Sequence, residues 1–85
     1  MDERIEADVR RIVSGVTQVP PNRLAPDLDL IDAGLVDSLR ALQIVNDLER
    51  HFNVLISDEE VGTYTTVRTI VEGIVRLRNG SPRAS

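Results

Sequence analysis

Apolar residues recur at helical spacing near the start of the chain, at Ile5, Val9, Ile12, Val13 and Val16. That spacing turns one stripe of a first helix toward a core. Asp2, Glu3 and Glu6 complement the positive end of its dipole, and Gly15 followed by Pro20-Pro21 is expected to end it. From Thr17 to Val36 the periodicity lapses. Prolines at 20, 21 and 26, together with Gly34, predict a long loop, and loops of that length in compact domains tend to be functional or disordered. Its apolar residues Leu24, Leu28, Leu30, Ile31 and Leu35 are expected to pack it onto the helices.

Helical spacing returns from about Asp37 to Phe52, with Asp37 as the N-cap. At 100° per residue Ala41, Leu42, Ile44, Val45, Leu48 and Phe52 fall on one broad face. Arg40, Gln43, Asn46, Asp47 and Arg50 take the other, and Leu39 falls with them as an outlier. Ser57-Asp58-Glu59-Glu60 fits a capping box in which Glu60 reaches back to Ser57, opening a short third helix that stops near Gly62. A last helix starts at Thr65 or Thr66 and buries Val67, Ile70, Val71 and Ile74, with Glu72 and Arg76 as an i,i+4 pair. Asn79-Gly80 supplies its stop. Residues 1–80 are expected to form one domain, and 81–85, with nothing to bury, a disordered tail. The fold class expected is all-α: a small four-helix bundle, three main helices and one short one, with a long loop between the first two.

Composition narrows the chemistry. Eighty-five residues make one small domain, and 41% apolar with 28% charged residues is ordinary for a globular protein. There is no cysteine, so disulfides, thiolate ligands and thiol nucleophiles are excluded. All ten basic residues are arginine, which removes lysine Schiff-base chemistry and the phosphate-loop lysine. With only Phe52 and Tyr64 as aromatics and a net charge of −4, nucleic-acid binding is not expected. The acidic N-terminus and the lack of a run near ~18 apolar residues predict no membrane association and a cytoplasmic location.

The charge is unevenly spread. Residues 27–60 hold nine acids against two arginines, a formal −7, while the remainder carries +3. Such a band could steer basic partners, or simply serve as helix caps and a solvated face.

No catalytic or metal constellation emerges. Asp27-Leu28-Asp29-Leu30-Ile31-Asp32 begins like a calcium loop but puts Ile31 at the fifth position and Asp32 where glycine is needed. His51 lacks zinc-ligand partners and is expected to face solvent. Ser38 lies at a helix N-terminus, and His51 is thirteen residues further along the same helix, roughly 20 Å away at the α-helical rise. This chain therefore cannot activate Ser38 as a nucleophile. If Ser38 matters chemically, another enzyme acts on it.

Asp37-Ser38-Leu39, preceded by Leu30-Ile31-Asp32-Ala33-Gly34-Leu35-Val36 and followed by a helix ending in His51-Phe52, resembles the acyl carrier protein family. The likeness continues through Ile56-Ser57-Asp58-Glu59-Glu60 and Tyr64-Thr65-Thr66-Val67, over most of residues 5–77. It implies a carrier without turnover of its own. Ser38 would bear a covalent 4′-phosphopantetheine delivered from coenzyme A by a phosphopantetheinyl transferase, and the arm's thiol would hold an acyl group as a thioester. Asp37 matches the aspartate implicated in transferase recognition, besides its role as N-cap. Leu39 matches the residue shown to partner enzymes, unless it packs onto the long loop. The resemblance further implies a docking surface of Asp37, Leu39, Arg40, Gln43, Asp47 and Arg50.

Two departures matter. Arg40 and Arg50 stand on a helix face that is strongly acidic in the fatty-acid carriers, and Ser57 stands where proline is common in that branch. Both favour a discrete carrier of polyketide or hybrid polyketide/nonribosomal peptide biosynthesis. It is expected to be a monomer, served by loading enzymes and by downstream synthase or tailoring enzymes. An aminoacyl or peptidyl carrier loaded by an adenylating enzyme is the nearest alternative. A helical adaptor that never receives the arm is another.

Overall fold

The computed structural model describes residues 3–79. The N-terminal Asp2, the Gly80 stop and the expected tail at 81–85 lie outside the described residues. Four α-helices follow in order: α1 (Glu3–Thr17), α2 (Ser38–Phe52), α3 (Asp58–Val61) and α4 (Val67–Arg78). Among the described residues there is no strand, so the all-α bundle stands as expected.

Helix α1 lies against both α2 and α4. Its buried residues Ile5, Val9, Val13 and Thr17 sit four apart, as a core-facing stripe allows. Gly15 does not end α1. The helix runs through it to Thr17, whose buried hydroxyl donates to the Val13 carbonyl at 2.9 Å. Gln18 then turns left-handed (φ 69°) and donates its N–H to the Ser14 carbonyl at 2.8 Å, the closing bond of an αL cap.

The long connection after α1 is ordered by turns and contains one 3-10 turn, Pro21–Arg23, that the proline pattern concealed. Arg10 of α1 donates from Nε to the Leu24 carbonyl at 2.9 Å. Further on, Arg68 N–H donates to the Pro26 carbonyl (3.1 Å), and Leu30 N–H to the Thr65 carbonyl (2.8 Å). Asp27 pairs with Arg68 at 2.6 Å. Leu24 and Leu30 are fully buried, and Leu28 and Leu35 pack against the core beside them. Ile31 does not pack there; it stands 54% exposed, because Asp29 accepts N–H bonds from Ile31 and Asp32 in a tight turn that rolls its side chain outward.

In α2 the buried set is Ile44, Val45, Leu48 and Phe52. Leu42 was expected among them and is 59% exposed. It lies about 60° round the helix from Val45, past the edge of a stripe narrower than the sequence pattern suggested. Asn53 caps the C-terminus in the left-handed region (φ 56°) and donates its N–H to the Glu49 carbonyl.

Ser57 caps α3 as expected, accepting from Glu60 N–H at 3.1 Å. Glu60 does not reach back to close a capping box. Its Oε2 accepts instead from the Tyr64 hydroxyl at 3.3 Å and from Arg76. The same bond overturns the Glu72–Arg76 pair, since Arg76 finds a carboxylate across the bundle in preference to one on its own helix. A reciprocal capping box does occur at α4: Thr66 Oγ1 accepts from Thr69 N–H (3.0 Å), and Thr69 Oγ1 from Thr66 N–H (3.1 Å).

Candidate functional site

The turn that leads into Ser38 is built from residues close to it in sequence. Gly34 takes a positive φ of 76°, which a side chain disfavours. Leu35 and Val36 N–H groups both turn back to the Leu30 carbonyl, at 2.9 and 3.2 Å. Val36 is buried and pulls the chain inward. Asp37 then adopts extended backbone (φ −120°, ψ −172°), and its Oδ1 accepts from Arg40 N–H at 2.9 Å, which starts the helix at Ser38. The Arg40 guanidinium reaches back to the Leu35 carbonyl at 3.2 Å, bracing the same turn.

Ser38 itself is exposed at the first position of α2, and Asp37 rather than Ser38 supplies the cap. The serine hydroxyl is thus left facing solvent. An anion attached there would meet unsatisfied N–H groups and the positive end of the helix dipole. These residues fit a phosphodiester-linked prosthetic group.

Two exposed apolar side chains share the first turns of α2 with Ser38, Leu39 (67%) and Leu42 (59%), and the loop before it exposes Ile31 (54%). Leu39 does not pack onto the loop. Ile31 and Leu42 were missed because each belongs to an apolar pattern that elsewhere points inward, yet the position of Leu42, about 40° from Ser38 on the helical wheel, could have revealed it. Leu39, Arg40 and Gln43 are exposed. Asp47 and Arg50 sit on the same exterior side, paired with each other at 3.5 Å. An exposed pair of this kind contributes about 0–1 kcal/mol. Glu49 is withdrawn from this face, since its Oε2 accepts the Ile56 N–H at 2.9 Å and fixes the chain between α2 and α3.

Among the described residues no histidine or carboxylate is hydrogen-bonded to the Ser38 hydroxyl. His51 sits on α2 thirteen residues away and meets Asp8 of α1, Nε2 to Oδ2 at 3.1 Å. It is half-exposed, as expected. Among the described residues no group of three acidic, histidine or cysteine side chains could hold a metal ion. No helix described is long and apolar enough to cross a membrane.

The approach loop and helices α2, α3 and α4 line a small, partly open apolar pocket of about 20 Å³, bordered in part by Val36, Ala41, Ile44, Val61, Tyr64 and Ile70. That is room for about one water molecule. Tyr64 is buried in its wall. Burial first, and then the Glu60 carboxylate beside it, push the phenol well above its usual value near 10. A raised folded value stabilises the fold in full below pH ~10, and that contribution fades as pH climbs above it toward the folded value. Because Tyr64 is the one tyrosine and there is no tryptophan, the ultraviolet tyrosinate band reads it directly. Its appearance is expected to coincide with alkaline loss of helical circular dichroism rather than to precede it.

A bundle that offers a solvent-facing hydroxyl on a helix terminus, with exposed apolar side chains on the same turns and no histidine or carboxylate bonded to it, has the site of a carrier. The chain belongs to the acyl carrier protein family: residues 7–74 match the model described as the phosphopantetheine attachment site. Over 55 residues it is 40% identical to the D-alanyl carrier protein of Streptococcus mutans, covering 62% of this chain and 70% of that one. It is 30% identical to the meromycolate extension acyl carrier protein of Mycobacterium tuberculosis strain H37Rv over 83 residues, covering 98% of this chain and 72% of the relative. The solved acyl carrier protein from Enterococcus faecalis superposes with a TM-score of 0.75 at 28% identity, over 88% of this chain and 95% of that one. The protein is therefore a carrier with a covalent 4′-phosphopantetheine, and transferase, loading enzymes and synthases are its general class of partner. It is not an enzyme.

Proposed function

We propose that Ser38 Oγ is the point of attachment and that this chain carries acyl intermediates of polyketide or hybrid polyketide/nonribosomal peptide biosynthesis. The observation that carries the first half is the exposed Ser38 on the N-terminus of α2, with Leu39 and Leu42 exposed on the same turns. When bound, the arm supplies the thiol that the cysteine-free chain lacks. Asp37 holds the helix start in place, and the N-terminal dipole of α2 stabilises the phosphodiester charge. Residues 1–80 form the carrier domain in this reading, acting as a monomer in the cytoplasm.

The docking face comprises Asp37, Leu39, Arg40, Gln43, Asp47 and Arg50, joined by Ile31 and Leu42. The apolar trio supplies desolvated contact area. Arg40, braced on the Leu35 carbonyl, and Arg50, paired with Asp47, bias the face away from partners that present only basic patches. A partner with mixed charge around an apolar socket suits it better, which supports a specialised pathway over fatty-acid synthesis.

The aminoacyl reading has its own support in the D-alanyl carrier relatives, which are named for a small amino acid. Incubation with coenzyme A and a promiscuous phosphopantetheinyl transferase tests the attachment. Whole-protein mass spectrometry should show one added arm, and peptide mapping should put it on Ser38. An unchanged mass would instead favour a helical adaptor that keeps the fold without the arm. Challenge of the loaded protein with acyl and aminoacyl adenylate-forming enzymes then separates the two cargo classes.

A further inference from the structure

The turn that presents Ser38 hangs from Leu30. The Leu30 side chain is fully buried, and its carbonyl takes the N–H groups of both Leu35 and Val36. Its own N–H donates to the Thr65 carbonyl at 2.8 Å. Where Thr65 stands thus decides where Leu30 stands, and through Leu30 the two residues that lead into the Asp37 cap.

The segment that carries this carbonyl is fixed by one hydroxyl of α4. Thr69 Oγ1 accepts from Thr66 N–H at 3.1 Å and from Thr65 N–H at 3.2 Å, and it donates to the Thr66 carbonyl at 3.0 Å. A hydroxyl has one proton and two acceptor sites, so all of its capacity is turned onto the residues just before the helix. Thr65 N–H is shared with the Thr63 carbonyl at 3.0 Å. Thr66 N–H has no other acceptor among the described residues. Without the Thr69 oxygen this part-buried N–H would be orphaned, at a cost larger than the bond was worth. The backbone at 65–66 must then turn toward water, which draws the Thr65 carbonyl off Leu30.

The two threonines of the α4 capping box therefore do different work. Thr66 Oγ1 accepts from Thr69 N–H at 3.0 Å and serves the helix itself. Thr69 Oγ1 serves the chain outside it. The earlier part of the loop is held separately, by Arg68 N–H on the Pro26 carbonyl and by the Arg68–Asp27 pair, so loss of the Thr69 hydroxyl loosens only the Leu30 end.

We propose that Thr69 is a positioning residue for arm transfer: its hydroxyl, acting through Thr65 and Leu30, sets the turn from which Ser38 meets the transferase. Thr69 touches neither the serine nor the arm. The proposal rests on Ser38 as the attachment point.

Two measurements test it, and the first needs no arm. In Thr69→Val, which keeps the side-chain shape and removes the hydroxyl, the Leu30, Leu35 and Val36 amides should exchange about five- to tenfold faster with solvent, the worth of about one hydrogen bond. The core amides of α1 and the second half of α2 should keep their parental rates, and Thr69→Ser should restore the protection. Thr66→Ala removes the helix's own cap and leaves the Thr69 acceptor in place. It should loosen the first turn of α4 without moving Leu35 or Val36. Equal acceleration of those two amides in Thr66→Ala, or none in Thr69→Val, overturns the relay.

The second measurement follows arm transfer from coenzyme A by a promiscuous phosphopantetheinyl transferase across the same series. Thr69→Val should raise the KM for the carrier several-fold and leave kcat within about twofold, because the enzyme draws the ordered turn from a mixed population. Thr69→Ser should return KM to the parental value, and Thr66→Ala should not move it. An unchanged KM in Thr69→Val, or an equal rise in Thr66→Ala, overturns the positioning role. A parent that accepts no arm refutes Ser38 as the attachment point, whereas a normally modified parent beside an unmoved Thr69→Val refutes Thr69 alone.

Discussion

Ser38→Ala is expected to fold like the parent and to gain no mass when incubated with coenzyme A and transferase. The two halves of that expectation have separate grounds. Ser38 is exposed, Asp37 supplies the helix cap, and alanine is at home in the first turn of a helix. Removing the hydroxyl should therefore shift stability by no more than about 0.5 kcal/mol either way. Modification, by contrast, should be lost entirely, because no other residue replaces an absent nucleophile oxygen at that position. Thermal melting by circular dichroism and intact mass spectrometry on the same sample check both halves. Asp37→Ala provides the contrast. It should melt earlier, at a cost of about 1 kcal/mol from the lost cap bond to Arg40, and should still accept the arm, though more slowly. A modified Ser38→Ala would move the attachment elsewhere and undo the proposal.

Leu48→Ala is expected to be the most damaging single truncation in α2. Leu48 is fully buried, in the middle of the stripe formed by Ile44, Val45 and Phe52. Truncations of this kind cost roughly 3–5 kcal/mol, the lost transfer energy plus that of the cavity left behind. A domain of this size has a total of only about 4–13 kcal/mol to lose. Urea titration should show the midpoint falling by about a third or more, and the melting temperature should drop by at least 10 °C or so. Leu48→Met, which nearly conserves volume, should cost less than about 1.5 kcal/mol. Similar midpoints for the two variants would mean that the site collapses around alanine and is not tightly packed.

Which features were legible in the sequence follows from the range over which each is determined. Asp37 and Ser57 as caps, the α2 span and the buried residues of α4 depend on neighbours within one or two turns, and the periodic pattern carried them. Ser38 could be singled out as a hydroxyl without a base, and the family resemblance gave it a role. The misreadings involve choices made across the bundle. Arg76 had a carboxylate at hand in Glu72, yet takes Glu60, sixteen residues back. Glu60 was assigned to its own cap and instead serves Tyr64 and Arg76. Ile31 and Leu42 are apolar residues in apolar patterns, and only the roll of a turn and the true width of the buried stripe turn them outward.

The loop that leads to Ser38 is fastened to the far end of the chain: Pro26 and Leu30 bond to Arg68 and Thr65, and Asp27 pairs with Arg68. On the ribosome these anchors emerge 35 to 42 residues after the loop positions they hold. Pairings that distant in sequence form late and cannot be replaced by local order. The turn that presents Ser38 is thus completed only when α4 has been made. A nascent chain that still lacks α4 presents Ser38 without that frame.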